Sequence, residues 1–269
     1  MSATEPARRQ LNSTSRIEIE DVAPGVRVVA FNRAEVRNAF DTSMYKEVTA
    51  ALRAADRDEA IGAVVLTGRG SAFTSGADLV EMAAIASGVT VEGSGEGFQG
   101  LLDALGTMAV PLLAAVNGVA VGLGFTVLAH CDLVLVDQGA RLRVPFAELG
   151  VPPEAASSLL FPAAMGWQEA ARVLLTSDWV DAPELVRLGL ALRQCSEGTV
   201  LDETVALATR VAAHPRAATR AITSLMRAAR RDAVEQANRR EQAAFSSLLG
   251  GAVGSGTLAE FAGKAPPTR

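Results

Sequence analysis

Two glycine-bearing turns carry the clearest chemical signal in this sequence. The first is Ser71-Ala72-Phe73-Thr74-Ser75-Gly76-Ala77-Asp78-Leu79, which follows a short apolar run and precedes a helical pattern. The second, Asn117-Gly118-Val119-Ala120-Val121-Gly122-Leu123-Gly124, sits in the same kind of place. Glycine lets the backbone turn sharply. The N–H groups that open the following helix have no partner within it, so they can point at a negative centre. Each turn alone could do no more than cap its helix. Side by side, they could aim two N–H groups at one oxygen, as an oxyanion hole does, with each donor worth on the order of 3 kcal/mol. Glu154, read from its neighbours alone, is first a helix-start carboxylate. It follows Pro152-Pro153 and suits a helix start, where the macrodipole favours a carboxylate. Its sequence neighbours Phe146, Leu149, Val151, Leu159 and Phe161 are apolar. Burial among them would raise its pKa and tune it toward passing protons near neutrality.

The elements that must position these residues are legible in the hydrophobic pattern. Residues 17–20 and 26–31, around Pro24-Gly25, read as a β-hairpin. Asp41 or Thr42 can cap a helix running to about Asp56, with Met44, Val48, Ala51 and Leu52 on one face. Residues 63–67 and 112–116 are short buried strands, and 133–136 is another after a short helix over 122–130. Residues 79–86 and 98–108 read as helices, with the Gly- and Ser-rich stretch 87–97 between them as a mobile surface loop bordering the site. From about Gln168 onward the pattern is almost wholly helical, ending in helices over 201–213, 215–230 and 232–249. Strands alternating with helices predict an α/β fold with parallel strands. The expected division is a flexible N-terminus over 1–15, a mixed core over 16–200 and a helical C-terminal region over 201–269.

Bulk properties narrow the function classes. The chain has 269 residues and a net charge of -5, which argues against a global nucleic-acid footprint. Basic residues are nearly all arginine; Lys46 and Lys264 are the only lysines. The two cysteines, Cys131 and Cys195, lack the spacing of a zinc site or a disulfide framework, so no metal is expected. A reducing, cytoplasmic setting is the natural expectation. Arg8-Arg9 is not followed by the apolar stretch of an export signal. No run is long and clean enough for a membrane span, since Asn117, His130 and Asp132 interrupt the best one. His130 ends a predicted helix, which suits interaction with the helix dipole better than catalysis. His214 reads as interhelical, Glu148 as solvent-side, and Asp78 as a helix cap rather than a base.

Taken in order, these motifs resemble one family. Phe31-Asn32-Arg33-Ala34-Glu35-Val36-Arg37-Asn38-Ala39-Phe40 is similar to the opening segment of crotonases, the enoyl-CoA hydratase/isomerase superfamily. The segments Gly68 to Leu79 and Ala115 to Gly124, with Cys131-Asp132 after them, resemble that family's two glycine segments, and Phe261-Ala262-Gly263-Lys264 resembles its tail. The resemblance implies a spiral of ββα units with a helical trimerisation region, assembled as a homotrimer or a dimer of trimers. It implies an acyl-CoA thioester substrate and no separate cofactor. By position, Ala77 and Leu123 would be the oxyanion donors. Gly76, Ala77 and Asp78 would lie near the adenine of coenzyme A. Arg37 and Lys264 would meet its phosphates, Lys264 across a subunit boundary, with Ala39 and Phe146 also lining the ester site.

The acids decide which reaction is possible. Hydration in this family uses two glutamates, and this chain has Thr126 and Phe146 at those positions. Neither can serve as a general acid or base near neutral pH. The stretch Pro145-Phe146-Ala147-Glu148-Leu149-Gly150-Val151-Pro152-Pro153-Glu154-Ala155-Ala156-Ser157-Ser158 resembles the monofunctional Δ3,Δ2-enoyl-CoA isomerases instead. That likeness implies Glu154 as the single catalytic base, with Ala155 departing from the subgroup's usual glycine. The alternatives are another crotonase-type reaction, such as hydration or thioester hydrolysis, or a non-catalytic acyl-CoA-binding protein.

Overall fold

The structure, a computed structural model, describes residues 15–87 and 89–249. The hairpin forms as expected from β1 (Ile17–Ala23) and β2 (Val26–Phe31), paired antiparallel. A 3-10 turn over Ala34–Val36 leads into α1 (Thr42–Arg57), where the Asp41 carboxylate accepts the N–H of Met44 at 2.8 Å and caps the helix. The chain then repeats one plan: a long strand, a short strand, a helix. The first turn is β3 (Ala63–Gly68), β4 (Ala72–Thr74) and α2 (Leu79–Ala86), followed by α3 (Ser94–Thr107). The second is β5 (Leu112–Val116), β6 (Val119–Val121) and α4 (Leu123–Thr126), with a 3-10 turn over Val127–His130. The third is β7 (Leu133–Asp137), β8 (Arg141–Arg143) and α5 (Phe146–Leu149). There follow α6 (Ser157–Met165), α7 (Trp167–Thr176), β9 (Val180–Asp181), α8 (Ala182–Arg187), β10 (Arg193–Cys195), α9 (Val200–Ala212), α10 (Arg216–Ala228) and α11 (Arg231–Leu249).

The long strands, with the short β10 at one edge, build a six-stranded sheet in the order β1-β2-β3-β5-β7-β10, parallel from β2 onward. The short strands build a second sheet, β4-β6-β8-β9. This is the ββα spiral. The central strands β3 and β5 of the large sheet are buried at every position because both faces are covered. Val29, Phe31, Val64, Leu66, Ala114 and Val136 face the main core with α1 and α3. Val28, Ala30, Val65, Ala115 and Leu135 alternate to the other face, under Val200 and Ala208 of α9. Helix α9 therefore packs on the large sheet and carries the core beyond residue 200. The Cys131-Asp132 pair gains a structural role here. Asp132 accepts the Leu112 N–H at 2.8 Å and pairs with the buried Arg227 at 2.8 Å, and Arg227 also donates to the Met108 carbonyl. That link pins α10 to the start of β5.

Two expectations change. The 87–97 stretch is not all loop, because α3 begins at Ser94. Its glycines look like helix breakers, but α3 lies so close to α1 that a Cβ on Gly97 would stand 3.1 Å from the Tyr45 Cβ. Close packing selects glycine there and overrides its poor helix propensity. The region after Gln168 is also not purely helical. It contains β9 and β10, two- and three-residue edge strands too short and too charged to show a period of two.

Asn38 locks the opening segment to β4. It is fully buried at a positive φ of 57°, and its Nδ2 group donates to the carbonyls of Arg69, Ala72 and Phe73 at 2.9, 2.8 and 3.2 Å. Its Oδ1 accepts the Arg33 N–H at 2.9 Å. Asn38→Ala leaves these buried groups unpaired, at a cost of about 3 kcal/mol. The variant is expected to melt roughly 10 °C lower than the parent in a calorimetric scan.

Candidate active site

The two glycine turns leave neighbouring strands of the small sheet. Strands β4 and β6 pair in parallel, with Ala72 opposite Val119 and Thr74 opposite Ala120, so the turns emerge side by side. Gly76 has φ +85°, and a Cβ there would stand 2.5 Å from the Val121 carbonyl and 3.4 Å from the Leu123 nitrogen. Only glycine permits that approach. The Phe40 N–H donates to the Gly76 carbonyl at 2.8 Å, and the Phe40 carbonyl accepts the Asp78 N–H at 2.9 Å. In a parallel bridge of this kind, the N–H of the middle residue, Ala77, points away from Phe40. Leu123 is the first residue of α4, where an N–H has no intrahelical acceptor. Among the described residues neither N–H donates a hydrogen bond. The arrangement offers two free, adjacent backbone donors.

Arg33 and Asp78 brace this corner. Arg33 Nη1 donates to the Ala39 carbonyl at 2.5 Å and to Asp78 Oδ2 at 3.1 Å. Asp78 Oδ1 also caps α2, accepting the N–H groups of Val80 and Glu81 at 3.1 and 3.3 Å. Asp78 is thus a cap and a brace, with its carboxylate occupied. Ala39 and Phe40 are buried behind the first turn. Arg37 stands exposed at a positive φ of 54°, and among the described residues it forms no ion pair. Lys264 and the rest of the tail motif lie outside the described residues.

Glu154 comes to the second turn through a hydrogen bond. Thr126 Oγ1 donates to Glu154 Oε1 at 2.5 Å, and Thr126 lies three residues after Leu123 in one helical turn. The residue is half-buried. Burial lifts its pKa to about 7, against the Thr126 hydroxyl, which lowers it, and with the negative charge of Glu241 adding to the rise. Phe146 is buried in the main core. Glu148 turns outward and pairs with Arg143 at 2.5 Å. The site therefore brings one carboxylate, one hydroxyl and two free amides together. Among the described residues no His, Cys, Asp or Glu cluster could hold a metal ion.

His130 differs from expectation. It closes the 3-10 turn after α4 but is buried, and its Nε2 lies 2.8 Å from the Ala155 carbonyl. Burial lowers its pKa to about 4, so the ring is neutral near pH 7 and donates from Nε2. A cation-dipole interaction does not operate there. Sequence reasoning also passed over Tyr45, Asn38 and Glu241. Tyr45 lies against Phe40 and Phe98, and burial, with the charges of Glu154, Glu81 and Asp78, raises its pKa and keeps the phenol neutral. Glu241 had a legible signal: it falls on the same helical face as Val234, Ala237 and Phe245, a polar residue in an apolar stripe.

Comparison with known proteins places this geometry. A family model described as enoyl-CoA hydratase/isomerase matches residues 21–267. A probable enoyl-CoA hydratase of Rhizobium meliloti (strain 1021) is 33% identical over 187 residues, 70% of this chain and 72% of that one. Human enoyl-CoA delta isomerase 2 is 35% identical over 182 residues, 66% of this chain and 46% of that one. Among solved structures, an enoyl-CoA hydratase/isomerase from Pseudoalteromonas atlantica T6c has a TM-score of 0.86 at 30% identity, covering 95% of this chain and 100% of that chain.

The raised pKa has a consequence for stability. From about 4.5 to about 7 the folded protein keeps a proton on Glu154 that the unfolded chain has released. Stability from this group therefore falls as pH rises through that window. Glu154→Gln carries no charge at any pH. Its melting temperature should exceed the parent's above pH 7, and the difference should close by pH 4.5 in thermal melts across that range.

Proposed function

This chain belongs to the enoyl-CoA hydratase/isomerase family, and within it we propose that the protein is an enoyl-CoA isomerase that moves a 3-enoyl-CoA double bond to the 2-position. The thioester oxygen lies between the N–H groups of Ala77 and Leu123. The Glu154 carboxylate removes a proton from C2, and the electrons of that C–H bond pass into a dienolate whose charge rests on the thioester oxygen. Two preorganised amides stabilise that charge as it develops. The protonated Glu154 then returns the proton at C4, leaving a conjugated 2-enoyl thioester and a regenerated carboxylate. One acid acting on one face suffices, and no water is consumed. A pKa near 7 suits a group that must both take and give a proton near neutrality.

The observation that carries this reading is the 2.5 Å bond from Thr126 to Glu154. Thr126 occupies the place of one hydratase glutamate and holds the remaining acid, while Phe146 fills the place of the other with a buried ring. Hydration needs two groups to orient and ionise water, and this site offers one. Around that centre, Gly76, Ala77 and Asp78 border the adenine of coenzyme A, Ala39 and Phe146 line the ester site, and Arg37 and Lys264 meet the phosphates. The protein works as a homotrimer or a dimer of trimers. The exposed row Ile222, Leu225 and Met226 on α10 supports this, being an apolar face of the kind an interface covers.

Incubation with a 3-enoyl-CoA should produce the ultraviolet absorbance of the conjugated thioester. Glu154→Gln should lower kcat by at least about 10³-fold with CoA-ester affinity retained, on the scale of losing an essential base. Undiminished turnover in Glu154→Gln, or hydration of 2-enoyl-CoA at a matching rate, would refute the assignment. Sedimentation should give three or six chain masses. The double change Leu225→Glu, Met226→Glu on the α10 face should shift the protein to monomers.

A further inference from the structure

Directly after Glu154 the backbone takes an unusual path. Ala155 and Ala156 both have positive φ, 56° and 55°, where a Cβ crowds the following carbonyl. Ala156 is also the N-cap of α6 and has no side-chain oxygen with which to satisfy the first N–H groups of that helix. A residue 85 positions away supplies what is missing. Glu241 of α11 is buried; its Oε2 accepts the Ala156 N–H at 2.7 Å, and its Oε1 accepts the Ser158 N–H at 2.9 Å and the Ser158 hydroxyl at 2.5 Å. From the other side, His130 donates to the Ala155 carbonyl at 2.8 Å. Within the turn, the Glu154 carbonyl accepts the N–H and hydroxyl of Ser157 at 3.0 and 2.6 Å.

We propose that Glu241 is a positioning residue for the reaction: from α11 it caps α6, holds Ala155 and Ala156 in the left-handed region, and so directs the Glu154 carboxylate toward Thr126. The inference rests on the reading of Glu154 as the proton shuttle. Glu241 touches no reacting atom; it acts through the turn and through its charge. The charged groups around it are Glu154 before α6 and Arg240 on its own helix, while His130 facing the same turn is neutral. Its negative charge adds to the rise of the Glu154 pKa, so removing that charge should make Glu154 easier to ionise.

The test uses the full-length protein and two variants. Glu241→Ala removes the cap. Glu241→Gln keeps the shape, but its NH2 must face an N–H donor, and the charge is gone. With 3-enoyl-CoA, Glu241→Ala should lower kcat by roughly 10- to 100-fold, the scale of a misplaced catalytic group, with KM changed less than about threefold. Glu241→Gln should move the acidic limb of the kcat profile to lower pH, a change that loss of packing alone does not produce. Hydrogen–deuterium exchange of a peptide covering 154–160 provides an arm that needs no substrate, and in both variants its amides should exchange faster than in the parent. Unchanged exchange together with an unmoved limb and kcat would overturn the proposal. If the parent fails to turn over 3-enoyl-CoA while exchange responds, the clamp stands and the isomerase reading fails.

Discussion

The parallel pairing of β4 with β6 sets the spacing between Ala77 and Leu123, because both turns leave their strands at the same level of the small sheet. Backbone donors held this way carry no rotamer freedom, so an oxygen bound between them, as proposed, would cost little entropy. The geometry needs support behind it. Gly76 must lack a side chain to come within reach of Val121, Asn38 must tie the opening segment to β4, and Arg33 must hold Ala39 and Asp78 together. The large sheet, apolar on both faces, is the rigid floor beneath these short strands.

Upon that scaffold the chemistry is selected by very few side chains. Two amides placed as proposed would polarise any thioester alike, so the reaction depends on which protons can move. A threonine in the turn after Leu123 leaves Glu154 as the partner of that hydroxyl, and partial burial keeps its two protonation states close in free energy at neutral pH. A buried phenyl ring at Phe146 contributes no proton and no site for water. In this chain the proposed choice of isomerisation over hydration rests on three side chains, Thr126, Phe146 and Glu154.

Much of this was legible in the sequence, for identifiable reasons. The long strands and helices announce themselves through local periodicity, as in α1 with its Asp41 cap or the run Leu112–Val116. The glycine turns are visible because glycine has few uses between a strand and a helix. The features that stayed hidden depend on partners distant in the chain. The three-residue strands β4 and β6 have too few residues to show a period. The glycines of α3 reflect close approach to α1, as at Gly97 beside Tyr45, rather than a break in the helix. The state of His130 comes from burial against Ala155, and the purpose of Glu241 from two amides 83 and 85 residues away.

The path of α11 has a bearing on how the molecule comes into being. A ribosome delivers the chain from its N-terminus, and domains fold largely in that order. Both glycine turns, Thr126 and Glu154 belong to the spiral and are all made before α9 begins. The amides of Ala156 and Ser158 nevertheless have their acceptor on a helix that leaves the ribosome last among the described elements. The acceptor for those two amides is thus the last of these groups to be synthesised, and the segment carrying Glu154 gains its cap only once α11 has been made.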